Sequence, residues 1–450
     1  MDRLNMTRRQ LLATASIGAM STLSQGVPTY GDNTKKAGKL AILGGDPVRK
    51  NKSWPDWPYR DQKVIDSLMK TVQSGNWCRI DTPSGTVTAF EKEYAALMGA
   101  KFCVATGSGT QALHTCVEAM GIGPGDEVIT SPYTDPGTIA SILSARALPV
   151  LADLDTASYQ LDPDDVEKKI NENTRAIMPV HMMGQPCHME RFMQIAKNHT
   201  LRIIEDACQA HLAEYQGKKL GTIGDVGCFS FQTSKTLACG EGGGIIGNDE
   251  VLMDQCYTVH NHGTSRRGRT EVIGPKYRMN ELEAAVLLGQ LSGVQERFAR
   301  RNRNAARLTA RLKDIPCLVP QKLYEGTTAG SFYLYAMSYK KEHCNGVDRN
   351  VFLKALSAEG VALSPYIKQG LHKEPWIDNI IKTKVYTKMF SDSRLRLFKD
   401  QCQCPGCDQV CHEMAMIWAS GPLLGTESDM DDIADAIEKV YDNRDQLLSL

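Results

Sequence analysis

The chain has no excess of charge of either sign: over 450 residues, 52 Lys and Arg balance 52 Asp and Glu. No global field therefore draws it to nucleic acid or to an anionic membrane. It also lacks internal repeats and low-complexity tracts, which excludes solenoids and biased disordered arrays. No apolar run is long enough for a stable membrane span. What is present is ordinary for a globular protein, with 42% hydrophobic and 23% charged residues. The length allows a large core and two or three units.

The amino terminus differs from the rest. Arg3, Arg8 and Arg9 precede a short apolar run from Leu11 to Met20, the charged-then-apolar layout of an export signal. Thr7-Arg8-Arg9-Gln10-Leu11-Leu12 resembles a twin-arginine signal, so residues 1–30 are expected to direct folded export to the periplasm or beyond. The alternative is an amphipathic start on a cytoplasmic protein, and no small-x-small cleavage site stands out. Most of the 14 cysteines sit singly in apolar or glycine-rich stretches and read as buried thiols. Cys402, Cys404, Cys407 and Cys411 with His412 are the exception, and disulfides, a structural metal or unlinked thiols all fit that spacing.

Residues 31–86 read as an irregular arm followed by a helix from Gln62 to Val72, stopped by Gly75. From Val87 onward, helices alternate with short apolar strands at 102–106, 127–130, 147–151, 175–180, 201–205 and 226–231. These strands lack polar alternation, the pattern of a mostly parallel sheet covered on both faces by helices. Gly243 to Gly247 is expected to add an antiparallel edge. A helical tract from Glu281 to about Leu312 closes a large unit, 87–312, and leads into a smaller carboxy-terminal α+β unit, 313–450, with a strand at 332–337 and helices at 349–358 and 430–440.

Three segments of the large unit suit one task, the holding of a flat, phosphorylated, nitrogen-containing ring. Ala105-Thr106-Gly107-Ser108-Gly109-Thr110 joins a strand to a helix, where glycine permits close approach and the helix start offers unpaired N–H groups to a phosphate. An N-cap at Thr110 would use the same residues. Glu205-Asp206-Ala207-Cys208-Gln209 puts carboxylates at the end of an apolar strand, where open parallel sheets bind ligands. Asp206 aimed at a ring nitrogen would favour its protonated form, and Gln209 would reach a ring hydroxyl; a helix cap is the plainer reading of Asp206. Gln232-Thr233-Ser234-Lys235, followed by Gly240 to Gly244, presents a primary amine in a hydroxyl- and glycine-rich loop after a buried strand, the group a Schiff base requires. A surface lysine is the alternative there.

Taken with Ala41 to Arg49, Asp126 to Ile129, Pro179 to Pro186 and Phe229-Ser230-Phe231, these segments resemble the DegT/DnrJ/EryC1/StrS family of sugar aminotransferases, within the fold-type I enzymes that use pyridoxal 5'-phosphate. The resemblance runs from about Leu40 to the carboxy terminus. It implies Lys235 as the amine joined to the cofactor and Asp206 as partner of the pyridine nitrogen. Gln209 would lie by the ring hydroxyl, and Tyr133 would stack on the ring face. Ser108, Gly109, Thr110 and Ser230 would hold the phosphate. The implied reaction moves an amino group from glutamate or glutamine to a keto sugar or keto cyclitol, in a homodimer.

One segment departs from the family pattern. In Gly274-Pro275-Lys276-Tyr277-Arg278, Lys276 stands where the family places an asparagine that reaches the neighbouring subunit's cofactor phosphate; an ammonium also neutralises phosphate. Two other readings compete: a sugar dehydratase or different pyridoxal-phosphate reaction, and a non-catalytic exported binding or regulatory protein. Related dehydratases carry histidine at the amine position, and Lys235 favours transfer. No nucleotide-binding module marks the acceptor as nucleotide-linked.

Overall fold

The computed structural model describes residues 38–418 and 420–450, so the expected export signal lies outside the described residues. The helix Gln62–Ser74 (α1) begins where the Asp61 side chain accepts a hydrogen bond from the Val64 N–H, and it ends at Gly75 with φ 70°. Thr86–Met98 (α2) ends in the same way at Gly99.

Seven strands follow: Phe102–Thr106 (β1), Glu127–Thr130 (β2), Leu148–Leu151 (β3), Thr174–Met178 (β4), Arg202–Asp206 (β5), Val226–Ser230 (β6) and Gly243–Gly247 (β7). They form one sheet in the order β1-β7-β6-β5-β4-β2-β3. Successive residues feed two apolar layers: Cys103, Ile129, Ile177, Ile203 and Phe229 pack on one face, and Val104, Val128, Ala176, Ile204 and Cys228 on the other. Burial on both faces is why these strands show no polar alternation in the sequence.

The antiparallel strand is not at the edge. β7 runs between β1 and β6 and is antiparallel to both. Its first residue, Gly243, is paired with Thr106 on one side and Ser230 on the other. A Cβ on Gly243 would fall 2.2 Å from the Ser108 carbonyl oxygen, so this strand start admits only glycine. Its glycines are what let this short segment enter the interior of the sheet.

The helix Glu281–Leu312 (α3) is opened by a capping box of Asn280 and Glu283. Ala284, Leu287 and Val294 belong to the core of the large sheet, whereas Ala305, Leu308 and Leu312 belong to a second core. That second core covers one face of a three-stranded antiparallel sheet: Leu318–Pro320 (β8), Leu334–Tyr339 (β9) and Met414–Trp418 (β10). The opposite face, carrying Leu334, Ala336, Met414 and Met416, packs in one apolar cluster with Tyr133, Leu148 and Val180 of the larger part. The arm is tied to the second core as well, since the Glu359 carboxylate accepts from the N–H groups of Ala41 and Val48. Among the described residues, no helix is long and apolar enough to cross a membrane.

Candidate active site

The carboxyl ends of β1, β5 and β6 open on a cavity of about 370 Å³ lined by Ser108, Gly109, Thr110, Asp206, Gln209, Ser230 and Lys235. A buried strand end, a helix start and a loop thus bring seven of the nine residues singled out in the sequence to one place.

The phosphate end is shaped by backbone. Ser108, not Thr110, caps the helix Gly109–Ala119, its hydroxyl accepting from the Gln111 N–H at 3.1 Å. The N–H groups of the first turn point out of such a helix start with no intrahelical acceptor, which suits an anion. A Cβ on Gly109 would lie 2.9 Å from both Cys208 Sγ and Ser230 Cβ, so the cup exists because position 109 has no side chain. Beneath it, His211 donates from Nε2 to the Ser230 carbonyl at 2.8 Å, and its Nδ1 accepts from the Tyr94 hydroxyl. Burial pulls the His211 pKa down to about 3, so the ring is neutral at physiological pH.

Asp206 ends β5 and is 3% exposed. No helix follows it; its Oδ1 accepts from the Cys208 N–H at 3.2 Å and its Oδ2 from the Thr138 hydroxyl at 2.7 Å. Because Thr138 spends its one proton on Asp206, the contact between Thr134 Oγ1 and Thr138 Oγ1, at 2.7 Å, has Thr134 as donor. A relay of two hydroxyls therefore fixes the carboxylate. Glu205, its fully buried neighbour, accepts from Gly221, Ile223, Gly224 and His181, and so anchors the strand end.

Lys235 stands on the loop between β6 and β7. That loop is held by backbone bonds from Phe231 N to Gly242 O, Thr233 N to Gly240 O and Lys235 N to Gln232 O. Gly240 and Gly242 have φ of 106° and 155°, which accommodates the tight return. The amine lies 4.5 Å from the ring centroid of Tyr333. Ser234 Oγ donates to Gln232 Oε1 at 2.7 Å, so in its 2.9 Å contact with the Tyr333 hydroxyl the phenol is the donor. From the arm, Trp57 Nε1 donates to the Thr233 carbonyl.

Gln209 Oε1 accepts from the Met183 N–H and its Nε2 donates to the Tyr366 hydroxyl. It bridges the two parts of the molecule across the cavity. Two residues stand elsewhere. Tyr133, expected to stack on a ring, is fully buried in the apolar cluster with Tyr159, Cys407 and Cys411. Its N–H is held by the Ser131 hydroxyl, and burial pushes its phenol well above the ordinary value. The cavity wall in this stretch consists of Thr134, Asp135, Gly137 and Thr138 instead. Lys276 is exposed outside the cavity of its own chain, in a bridge with Asn261.

Sequence reading did not single out Thr138, Asp135, Tyr333 or Tyr366. Thr138 is one of three hydroxyl residues of its helix, with Ser141 and Ser144, and nothing local sets it apart; the two tyrosines lie far along the chain with no signal either. Cys402, Cys404, Cys407 and Cys411 are buried free thiols within an apolar cluster. Among the described residues, no group of three or more ligating side chains forms a metal site.

Comparison with known proteins agrees with this geometry. A model of the DegT/DnrJ/EryC1/StrS aminotransferase family matches residues 59–437. The chain is 34% identical over 427 residues to an L-glutamine:2-deoxy-scyllo-inosose aminotransferase of Streptoalloteichus tenebrarius, covering 91% of this chain and 99% of that one. It is 33% identical over 423 residues to an L-glutamine:scyllo-inosose aminotransferase of Streptomyces griseus, covering 90% and 98%. The crystal structure of 3-amino-5-hydroxybenzoic acid synthase superposes with a TM-score of 0.76 at 27% identity, covering 87% of this chain and all of that one.

Proposed function

The chain belongs to the DegT/DnrJ/EryC1/StrS aminotransferase family, and from that premise we propose that it transfers the amino group of glutamine to a free keto cyclitol. It is a pyridoxal-phosphate-dependent aminotransferase of the keto sugar and cyclitol class. The observation that carries the reading is the convergence of Lys235, Asp206 and the Ser108–Thr110 turn on one cavity.

The residues present fit the cofactor: the cavity has the size of a small-molecule site, the Gly109 cup fits a phosphate, and a buried carboxylate faces a primary amine. When bound, pyridoxal phosphate supplies an electron-withdrawing ring that carries the amino nitrogen between donor and acceptor. Ser108, Gly109, Thr110 and Ser230 would hold its phosphate by hydrogen bonds. Asp206, fixed by Thr138 and the Cys208 N–H, would keep a proton on the ring nitrogen. Gln209 would orient the ring hydroxyl. Lys235 would anchor the group covalently and, once released, take a proton from the substrate's amine-bearing carbon and return it to the cofactor carbon. Lysine at this position supports transfer over dehydration.

The relatives that use glutamine and inososes support this choice of donor and acceptor. The reading includes a homodimer in which Lys276 of a second copy neutralises the phosphate, and it includes export by the twin-arginine signal at 1–30. Glutamine should bleach the visible absorbance of the purified holoprotein, and a keto cyclitol should restore it with formation of the aminocyclitol by mass spectrometry. No bleaching by glutamine or glutamate would sink the reading. Equilibrium sedimentation of a monomer would remove the dimer, and a wholly cytoplasmic protein on fractionation would remove export.

A further inference from the structure

We propose that Trp418, braced edge-to-face by Tyr366 and Tyr333, is the aromatic face on which the free keto cyclitol stacks. This inference rests on the aminotransferase reading above and assigns a specificity residue for its acceptor.

Trp418 is the last residue of β10. Met414, Met416 and Trp418 alternate onto the face that packs toward the larger part of the molecule, but whereas the two methionines are buried, the indole is 40% exposed. Its ring meets Tyr333 at 5.7 Å and 86°, and Tyr366 at 6.3 Å and 83°; the two tyrosines meet each other at 6.4 Å and 84°. These edge-to-face contacts hold all three rings in fixed mutual orientation. Both tyrosines line the cavity and are tied at their hydroxyls, Tyr333 to Ser234 and Tyr366 to Gln209. Burial raises the Tyr366 phenol well above its usual range, so it stays a neutral hydroxyl. The indole thus extends a rigid aromatic wall outward from the reactive amine.

The rest of the lining complements a ring with many hydroxyls. With Asp206 taken by the ring nitrogen, Asp135 and Glu241 remain in the cavity lining as carboxylates open to the acceptor. Hydroxyl groups donate to carboxylates, while the C–H face of a saturated ring lies on an aromatic surface. With the Ser108–Thr110 turn taken by the cofactor phosphate, a second phosphate on the acceptor would lie beside Asp135 and Glu241, and no arginine is among the lining residues of this chain. A neutral polyol ring satisfies both halves of the lining.

The two half-reactions of the holoenzyme test this separately. For Trp418→Ala, the glutamine half-reaction is the internal comparison, and its half-saturating glutamine concentration should rise less than that of the keto cyclitol. In the return half-reaction, the concentration of free keto cyclitol needed for half-maximal recovery should rise about tenfold, and Trp418→Phe should keep most of the parent's affinity. The parent should use the free cyclitol in preference to its phosphate ester and to a nucleotide-linked keto sugar. Equal acceptor dependence in parent and Trp418→Ala, or a parent that prefers a phosphorylated or nucleotide-linked acceptor, overturns the proposal. A parent that transfers to no ketone at all overturns the aminotransferase reading itself, a result distinct from active transfer that is indifferent to position 418.

Discussion

Asp206 and Lys235 face one cavity from supports of opposite kinds. The acid leaves the end of a strand buried on both faces, and every hydrogen bond to its carboxylate comes from the same part of the molecule, through Thr138 and the Cys208 N–H. The amine stands on a loop between two strands and leans on Tyr333, a residue of the smaller part. An electrostatic partner must stay still to be worth its charge, so it is built into the sheet. A group that first bonds the cofactor and then carries a proton needs freedom, and a loop on a rigid scaffold provides it.

The contrast is sharpest if the amine itself is removed. Lys235→Ala should lose the visible absorbance of lysine-bound cofactor and all measurable turnover, while circular dichroism stays as in the parent; a surviving band would refute the assignment. On the acid side, Asp206→Asn keeps the shape and loses the charge. Cofactor should still bind, with kcat lower by about a hundredfold or more, the equivalent of roughly 3 kcal/mol of transition-state stabilisation. Unchanged turnover would mean that the carboxylate does not hold the ring proton.

Thr138 decides whether the acid side is rigid for the reason given. Thr138→Val is nearly isosteric and removes a hydrogen bond to a charged group, so kcat should fall about tenfold, and Thr138→Ser should restore most of it. If serine and valine behave alike, the hydroxyl does not position Asp206. The last effect concerns stability in acid rather than turnover, beneath the phosphate cup. Since the His211 pKa is depressed to about 3 in the fold against 6.5 unfolded, the unfolded chain binds the extra proton between those values. Stability is full above about pH 6.5 and declines as pH falls toward 3, with about 2 kcal/mol lost from this group by pH 5. A denaturation midpoint independent of pH between 7 and 5 would show that His211 is not held neutral.

The same contrast explains what was legible in the amino-acid order. Strand ends and tight turns announce themselves locally, so Asp206, the Ser108–Thr110 turn and Lys235 are legible from short stretches and all line one cavity, and Gly75 ends its helix where expected. The neighbours of Tyr133 along the chain do not reveal which wall it enters; it packs in the cluster with Cys407 and Cys411, distant in sequence, and not in the cavity lining. Tyr333, Tyr366 and Trp418 were invisible for a related reason. Their role depends on a sheet from the far end of the chain packing against the first, a contact that no periodicity encodes. The interior position of β7 is not legible because so short a segment does not reveal its neighbours, although close approach to Ser108 is what requires its glycine.

That inserted strand also dictates an order of assembly. In the seven-stranded sheet, Phe102–Thr106 has β7 as its one ladder partner, and β7 is synthesised after the Lys235 loop. The opening strand must therefore wait, unpaired, until Gly247 has left the ribosome, and the reactive loop is closed by the same event that seats it. A chain nicked between 231 and 242 would loosen both at once, because the Phe231–Gly242 and Thr233–Gly240 backbone bonds close the loop where the strand begins.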